Sequence, residues 1–327
     1  MNARRKLLVA LAAGLLGPHA VSAQQQARIP RIGFLLVGTP AGFAIRTEAF
    51  LQELRNLGYV EGKNVSIEWR WAENKPEQIP RLAAELAGLG VDVIVTGGTS
   101  PATALKNATR TIPIVMALVG DPVGTGLVDS LARPGGNLTG FSDFAPALTA
   151  KRLEILKELA PRASRVVVML NPTNPNTRVE LEAARAAASA LGIQLLPLEV
   201  SDPSTLEAAF STMAQHRARA FTVLTDPMLY SQRNRIVQLV TKNQLPAMYP
   251  QSEYAEGGGL ISYGQDSRET FRRSAIYVDR ILRGAKPADL PVEQPSKFEL
   301  VINMKTAKAL GIKIPQSILV RADRVIE

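Results

Sequence analysis

The sequence predicts an α/β fold in which two lobes with parallel sheets follow one another along the chain. Short aliphatic segments alternate with amphipathic helical patterns over 31–143, and the same alternation returns over 146–254. This pattern is typical of parallel sheets with helices on both faces and right-handed crossovers. The length of 327 residues also favours two domains, since one domain usually has about 100 to 200 residues.

The N-terminal segment differs in composition from the rest of the chain. A segment at 2–6 that contains three basic residues, Arg4, Arg5 and Lys6, is followed by an apolar segment at 7–16 and by a small-residue cleavage site at 21–23. This order is typical of a cleavable signal peptide, although an uncleaved anchor is the alternative. We expect removal of the leader 1–23, a linker at 24–30 and a mature protein in the periplasm. Because the chain has no cysteine, disulfides, thiolate metal sites and a lipid-modified cysteine are excluded.

The charge distribution argues against two classes of partner. The formal net charge of +9 includes the basic residues Arg4, Arg5 and Lys6 of the leader, and the remaining positive excess is spread over helices and not gathered in one block. We therefore expect a solvated basic surface and no nucleic-acid partner. After the leader, no apolar segment approaches the ~20 residues that a membrane-spanning helix needs. We expect no membrane insertion of the mature chain, and a monomer.

The first lobe is predicted to contain five strands and four helices. The strands are expected at 31–37, 64–71, 91–95, 112–118 and 138–142, and the helices at 43–57, 78–89, 102–108 and 127–131. Apolar and polar residues alternate in the second strand, which indicates a half-exposed strand near a sheet edge. Its tryptophans, Trp69 and Trp71, share one face, so packing is favoured over a stacking platform for a ligand. Ser100, before Pro101, is predicted to cap the third helix.

The second lobe is predicted to repeat this pattern. After a helix at 148–159, strands are expected at 165–170, 193–200, 220–224 and 245–249, and helices at 177–191, 205–214 and 230–242. Single elements then follow, namely strands at 257–264 and 298–303 and helices at 267–282 and 305–310. These elements are too few for a third domain, so we assign them to the two lobes. The chain must then cross between the lobes more than once.

Four segments of the chain are distinctive enough to compare with known families. They are GYVEGKN at 58–64, GDPV at 120–123, LARPGGNLTG at 131–140 and FELVINMKTAKALG at 298–311. These segments closely resemble the extracytoplasmic substrate-binding proteins of ABC transporters, in the group that includes the tryptophan- and tyrosine-type binding proteins. The resemblance covers nearly all of the chain after the leader.

This resemblance implies the periplasmic binding protein type I fold. That fold has two Rossmann-like lobes joined by a three-strand hinge, and a ligand held in the cleft between them. We expect the first lobe to comprise 31–143 plus 256–285 and the second 146–254 plus 288–327. The resemblance also implies a small metabolite as ligand, an amino acid or similar with aromatic ones included, an ABC permease of the inner membrane as partner, and no cofactor.

The candidate ligand-binding residues follow the carboxyl ends of the predicted strands, where parallel sheets usually bind ligands. They are Thr39, Pro40, Phe43, Gly98, Thr99, Ser100, Asp121, Asn171, Asn174, Asp226, Tyr249 and Tyr254. The aromatic members suit an apolar pocket, although core or hinge packing explains them equally well. Asn171 can both donate and accept hydrogen bonds, whereas Asn174 and Asn176 also fit turn and cap positions.

The hydroxyl and carboxylate members of this set suit the two ends of an amino acid. Thr99 and Ser100 could hold a carboxylate at a helix N terminus, although a capping role explains Ser100 equally well. Asp121 and Asp226 could pair with an ammonium group, although Asp-Pro also opens turns.

Enzyme chemistry has few candidate residues. The histidines are His19, in the leader, and His216, and no cysteine is present. A catalytic triad or an imidazole metal site cannot be assembled from one histidine. The phosphate-binding motifs G-x-G-x-x-G and G-x-x-x-x-G-K-[ST] are also absent from their expected places. We expect a binding protein that is not an enzyme. Two alternatives stay open: an exported sensor acting on a receptor or kinase, and a hydrolase with an acidic pair.

Overall fold

The computed structural model describes residues 28–143, 145–215 and 217–327, which form two α/β lobes. The predicted leader, the start of the linker and His216 lie outside the described residues. Within the described ranges, no helix is long and apolar enough to cross a bilayer.

The first lobe is built on five parallel strands. These are β1 (Arg31–Leu36), β2 (Ser66–Trp71), β3 (Val93–Gly97), β4 (Ile114–Gly120) and β5 (Leu138–Asp143). The sheet order is β2-β1-β3-β4-β5. The helices that follow the first three strands are α1 (Pro40–Asn56), α2 (Ile79–Gly88) and α3 (Thr99–Ala108). The aliphatic strands β1, β3 and β4 are buried, whereas β2 at the edge is half-buried, as its alternating sequence predicts.

The two tryptophans of β2 pack against the first lobe. The ring centroid of Trp69 lies 4.5 Å from that of Phe34 in β1, and 5.7 Å from that of Trp71. Phe43 of α1 lies 6.3 Å from Trp71 by the same measure. This aromatic stack covers the edge of the sheet, so packing accounts for both tryptophans.

Two local predictions for the first lobe are wrong. The residues at 127–131 form turns, not a helix. Leu127 and Val128 both donate backbone hydrogen bonds to Pro122, so this segment folds back on the preceding loop. The third helix begins at Thr99 with Gly98 at its N-cap, so Ser100 lies inside the first turn and does not cap it.

The rest of the chain supplies the second sheet. Its strands are β6 (Arg165–Leu170), β7 (Gln194–Glu199), β8 (Ala220–Val223), β9 (Ala247–Tyr249), β10 (Ile261–Gly264), β11 (Glu299–Asn303) and β12 (Arg324–Ile326). The helices in this part of the chain are α4 (Ala145–Leu159), α5 (Thr177–Ala190), α6 (Leu206–Gln215), α7 (Pro227–Ser231), α8 (Arg233–Lys242), α9 (Ser252–Glu256), α10 (Ser267–Leu282), α11 (Met304–Ala309) and α12 (Gln316–Leu319), and all of them except α10 accompany the second sheet. The sheet order is β12-β11-β10-β9-β8-β6-β7, and only β10 and β11 pair antiparallel. The single helix expected at 230–242 is divided at Gln232 into α7 and α8.

The chain passes between the lobes three times. The first passage joins β5 to α4, the second joins β10 to α10, and the third leads from α10 to β11. Helix α10 packs against α1 and the first sheet. The fold class predicted from the sequence, two α/β lobes joined by three hinge segments, is therefore confirmed.

The predicted lobe boundaries need two corrections. Strand β10 lies in the second sheet, because Ile261 and Ser262 pair in parallel with β9. Of the predicted segment 256–285, helix α10 therefore belongs to the first lobe, whereas strand β10 belongs to the second. The start of the segment 288–327 also differs, because Glu293 pairs with Phe141 of β5 in the first lobe. Local pattern identifies a strand, but its pairing partner depends on contacts distant in sequence.

Candidate functional site

A cleft between the lobes is bounded by the carboxyl ends of strands from both sheets. Its first-lobe wall includes Phe43, Arg46, Gly97, Gly98, Thr99 and Gly120, and its second-lobe wall includes Asn174, Asn176, Thr225, Asp226, Tyr230 and Gln251. The space inside measures ≈ 20 Å³, which is room for about one or two water molecules. The two lobes are therefore closed on each other.

The two walls approach each other closely at two glycines. A Cβ on Gly98 would lie 2.5 Å from Cγ of Pro227, and the φ of Gly98 is +108°, which residues with side chains rarely adopt. A Cβ on Gly120 would lie 2.2 Å from Cγ of Asn176. Any larger residue at either position would hold the lobes apart.

The first-lobe wall presents the start of helix α3 to the cleft. Gly97, Gly98 and Thr99 line the cleft at this point, and Thr99 is buried. The backbone N–H of Gly98 donates to the carbonyl of Leu118 at 2.7 Å, which fixes the turn between β3 and the helix. Because backbone N–H groups and the helix dipole favour negative charge at a helix N terminus, this wall is suited to a carboxylate.

The second-lobe wall presents the carboxylate of Asp226. Its Oδ1 accepts a hydrogen bond from the backbone N–H of Leu229 at 2.9 Å, and its Oδ2 accepts from Nδ2 of Asn171 at 3.2 Å and of Asn174 at 2.9 Å. Burial raises the pKa of Asp226, and these hydrogen bonds partly oppose that effect. A cationic group beside a buried carboxylate would stabilise its ionised form. This wall is therefore suited to an ammonium group.

A buried ion pair crosses between the lobes next to the cleft. Nε of Arg46 in α1 lies 3.7 Å from Oε1 of Glu253 in α9, and it donates to Oγ of Ser267 at 2.9 Å. The guanidinium carbon lies 3.2 Å from the ring centroid of Tyr230. Burial raises the pKa of Glu253, but Arg46 and Ser267 lower it more, so the net shift is downward. Nη2 of Arg46 has no hydrogen-bond partner among the described residues, so the wall keeps one free donor.

The structure brings part of the sequence-predicted set together. The predicted residues in the cleft wall are Phe43, Gly98, Thr99, Asn174 and Asp226. Asn171 lies directly behind Asp226 and donates to it. Thr39 and Pro40 instead begin α1, where Oγ1 of Thr39 accepts from the backbone N–H of Gly42 and Pro40 is exposed.

Four other predicted residues do not face the cleft, which corrects their placement. Ser100 lines a groove outside it, because α3 begins one residue earlier. Asp121 has a φ of +26° and closes its own turn by accepting from the backbone N–H of Gly124 at 2.9 Å. Tyr249 and Tyr254 stack with centroids 5.0 Å apart and are fully buried in the protein core. Burial raises the pKa of both phenols.

Sequence reasoning missed several residues of the cleft wall. Arg46 and Tyr230 lie within helices, and no local pattern shows that their helical faces point to the other lobe. Asn176 follows Asn174 in a loop that the sequence assigns to a turn. Gln251 could have been found, since it follows β9 at the same sheet edge where Asp226 follows β8.

Two α/β lobes joined by three segments around a closed cleft define a two-lobed solute-binding protein. Residues 35–326 match the sequence model of a family described as ABC transporter substrate binding protein. The chain belongs to this family, as the resemblance of its four segments predicts. The family match spans both lobes and all three passages between them.

Three known proteins are informative relatives. The tyrosine-binding protein of Clostridioides difficile (strain R20291) is 28% identical over 266 residues, which cover 81% of this chain and 76% of that protein. An ABC domain from Streptococcus pneumoniae in complex with L-Trp is 28% identical, with a TM-score of 0.81, over 90% of this chain and 100% of that one. The ligand-free, open form of a substrate-binding protein with adhesive properties from Clostridium difficile is 27% identical, with a TM-score of 0.62, over 91% of this chain and 99% of that one.

The two solved structures differ in how well they superpose on this protein. Their sequence identities to it are nearly equal, yet the TM-score is higher for the L-Trp complex than for the open form. A lower score against an open form is what a closed arrangement of the lobes in this protein predicts. It agrees with the narrow space inside the cleft.

Proposed function

We propose that this protein binds an α-amino acid in the cleft, with tyrosine and tryptophan as the first candidates. The observation that carries the proposal is the opposite electrostatic preference of polar groups in the two walls. The start of α3 and the free Nη2 of Arg46 favour a carboxylate, whereas Asp226 favours an ammonium group. Phe43 and Tyr230, with ring centroids 5.4 Å apart, add aromatic surface for an apolar side chain.

Two relatives support an aromatic ligand. One is described as a tyrosine-binding protein, and the other contains L-Trp. Both are 28% identical to this chain, and each match covers most of its length.

Entry of such a ligand requires the lobes to separate. Sites for small molecules usually measure about 300 to 1,000 Å³, whereas the closed cleft holds ≈ 20 Å³. The bound form must leave the lobes further apart than they are here, or move the guanidinium of Arg46 away from Tyr230. Because only a closed form lets the ligand touch both walls, binding shifts the equilibrium between open and closed forms towards closure.

We further propose that the protein is exported to the periplasm as a monomer and delivers its ligand unchanged to an ABC permease. Family membership and the signal-peptide pattern of 1–23 support this role. N-terminal sequencing of the periplasmic protein should begin at Gln24, and size-exclusion chromatography should give the mass of one chain. A full-length chain in the membrane fraction would contradict export as a soluble protein.

The ligand proposal is tested by thermal-shift measurements and calorimetric titration against the common amino acids. A ligand at one hundred times its Kd stabilises the folded state by about 2.7 kcal/mol, so a true ligand raises Tm clearly. Tyrosine or tryptophan should do so, and bound ligand should be recovered chemically unchanged. If no amino acid raises Tm or gives a heat of binding, the proposal is wrong.

A further inference from the structure

A second buried ion pair lies beneath the second-lobe wall of the cleft. Nη1 of Arg152 in α4 is 3.6 Å from Oε1 of Glu180 in α5, and the two residues are 3% and 0% exposed. Burial raises the pKa of Glu180 and lowers that of Arg152, and the attraction between the two charges opposes both shifts. Buried ion pairs are often no more stabilising than well-packed apolar residues. This favours a positional role for the pair.

Glu180 holds a segment of the cleft wall in place. Its Oε2 accepts a hydrogen bond from the backbone N–H of Thr225 at 3.0 Å, and its Oε1 accepts from Oγ1 of Thr225 at 3.3 Å. Thr225 lines the cleft directly before Asp226. Oγ1 of Thr149, near the start of α4, also donates to Oε1 of Glu180 at 2.6 Å. Glu180 thus ties the segment that carries Asp226 to the helix that follows the first passage between the lobes.

Arg152 holds a second cleft segment and the second passage. Its Nη2 donates to the carbonyl of Pro250 at 3.4 Å, and its Nε donates to the carbonyl of Tyr263 at 2.7 Å. Pro250 precedes Gln251 of the cleft wall, and Tyr263 lies in β10 just before the chain crosses to α10. Arg152 is also attracted by the charge of Asp143, the last residue of β5 before the first passage.

The packing around the second passage leaves no space for adjustment. A Cβ on Gly264 would lie 1.9 Å from the carbonyl oxygen of Pro250 and 3.4 Å from Nη2 of Arg152. The end of β10 is therefore in direct contact with both the guanidinium group and the cleft segment. A displacement of one must move the others, since close-packed interiors transmit strain.

We propose that the Arg152–Glu180 pair couples the cleft to the hinge. The pair positions Thr225 and Gln251 for the ligand and links their position to the first two passages between the lobes. This inference rests on the proposed function, because it takes the cleft as the ligand site. Arg152 and Glu180 are positioning residues, since neither lines the cleft. Without the pair, the passages are less constrained, so the ligand-free protein closes less often and binds its ligand more weakly.

The first test is the variant E180Q, which keeps the size of the side chain and removes its charge. Distances between the lobes can be measured by fluorescence energy transfer between cysteines introduced at the exposed residues Gln52 and Ser211, since the chain has no cysteine of its own. E180Q should shift the ligand-free distribution towards longer distances. It should also weaken the binding of L-tyrosine or L-tryptophan roughly tenfold, which corresponds to ~1.4 kcal/mol.

The matched control is E182Q on the same helix. Glu182 forms an exposed ion pair with Arg178, whose side chain is 77% exposed, so its loss removes the same charge without touching the cleft. E182Q should leave both the distances and the affinity unchanged. A change in E182Q equal to that in E180Q would attribute the effect to net charge and overturn the proposal.

Two further variants keep the proposal testable if E180Q does not fold. R152K keeps the positive charge but lacks the fork that reaches both Pro250 and Tyr263. T225V removes the hydroxyl contact to Glu180 and keeps the hydrogen bond from the backbone N–H, and any direct effect of the lost hydroxyl on the ligand is the same with and without E180Q. In a double-mutant cycle, E180Q and T225V should together cost less than the sum of their separate effects on affinity, because they break a shared interaction.

The outcomes separate this inference from the proposed function. If wild-type protein binds no amino acid, the proposed function fails, yet the distances in ligand-free E180Q and R152K still decide the coupling. If both variants melt at lower temperature but keep wild-type distances and wild-type affinity, the pair has a purely structural role. That result would overturn the coupling.

Discussion

The two walls of the cleft offer a ligand different chemistry. The first-lobe wall, called the backbone wall below, includes three glycines, Gly97, Gly98 and Gly120, at which the main chain itself borders the cleft beside side chains such as Phe43 and Arg46. The second-lobe wall has no glycine and instead presents polar side chains, namely Asn174, Asn176, Thr225, Asp226 and Gln251. This difference indicates that the two walls have different roles in binding. The backbone wall determines how closely the lobes can approach, and the side-chain wall selects the ligand.

The two walls also differ in how their polar side chains are held in place. Asp226 receives hydrogen bonds from two asparagines, and Thr225 is held by the buried Glu180. Each of these second-lobe groups is therefore pre-oriented before a ligand arrives, which lowers the entropic cost of binding. In the first wall, Arg46 is the exception, since this charged side chain is already paired across the cleft with Glu253.

Replacement of Arg46 should cause the largest change in free energy, a loss of stability of the folded protein. R46M leaves the buried carboxylate of Glu253 without its cation, and breaking a buried pair in this way costs about 3–5 kcal/mol. We therefore expect a clearly lower Tm at neutral pH in calorimetry. The second change E253Q should recover much of the loss, because it removes the uncompensated charge.

The pH dependence of R46M provides a check on this explanation. In the wild type, the pKa of Glu253 is lowered, so the pair contributes stability above the carboxyl's unfolded pKa and loses it as pH falls through the folded pKa. In R46M, burial still raises this pKa, while the largest opposing influence is lost and only weaker ones, including the hydrogen bond from Ser267, remain. The pKa should therefore rise, and the defect should shrink as pH falls towards 5. A defect that is constant between pH 5 and 8 would show that lost packing, not charge, is responsible.

Neutralising Asp226 tests the selective role of the side-chain wall. D226N keeps the shape of the side chain but cannot pair ionically with an ammonium group, and hydrogen bonds to charged groups contribute about 1.5–3 kcal/mol. Affinity for an amino acid should fall roughly 10- to 150-fold in calorimetric titration. Since burial raises the pKa of Asp226, its charge is unfavourable in the folded state at neutral pH, so Tm should not fall through loss of that charge.

A ligand without the ammonium group is the control for D226N. The deaminated analogue of the bound amino acid should bind the wild type weakly, and D226N should not weaken it further. If D226N weakens both ligands equally, Asp226 acts by shaping the wall and not by pairing with the ammonium group.

The sequence predicts the fold well because its information is local and repeated. Each aliphatic strand followed by a polar loop and a helix identifies one unit, and the repetition of such units predicts two lobes. The same logic finds Gly98, Asn174 and Asp226, because each follows the end of a buried strand. Residues that reach the cleft by their position in a loop are therefore accessible to sequence reasoning.

The remaining features depend on contacts between distant segments. Strand β10 looks identical whether it joins the first or the second sheet, and only its pairing with β9 decides the matter. The role of Arg46 depends on the second lobe, because its partners Glu253 and Tyr230 lie there. Tyr249 and Tyr254 are excluded from the cleft because they stack on each other in the core. None of these contacts has a signal within a short window of sequence.

Adding one carbon to the backbone wall tests its role in closure. G120A places a Cβ 2.2 Å from Cγ of Asn176 in the closed form, and such overpacking typically costs about 1–3 kcal/mol. Affinity should fall roughly 5- to 150-fold. The Tm of the ligand-free protein should change little, because opening of the lobes relieves the close contact. The double variant G120A/N176A should close normally, as monitored by interlobe distances.

Another glycine provides the control for G120A. No atom lies within 4 Å of a Cβ placed on Gly88 in α2, so G88A should leave affinity unchanged. If G120A binds as tightly as the wild type, the close approach of Gly120 and Asn176 is not needed for the bound form. The backbone wall would then lose its proposed role.

The smallest expected effect separates two neighbouring hydroxyls at the start of α3. Thr99 lines the cleft, whereas Ser100 faces the outer groove. T99A should weaken amino-acid binding roughly 2- to 10-fold, as expected for the loss of one hydrogen bond of about 0.5–1.5 kcal/mol. S100A should bind within about twofold of the wild type by the same reasoning. Neither variant should melt earlier, because alanine favours helices, and an equal loss in S100A would mean that the first-lobe wall extends beyond the cleft seen here.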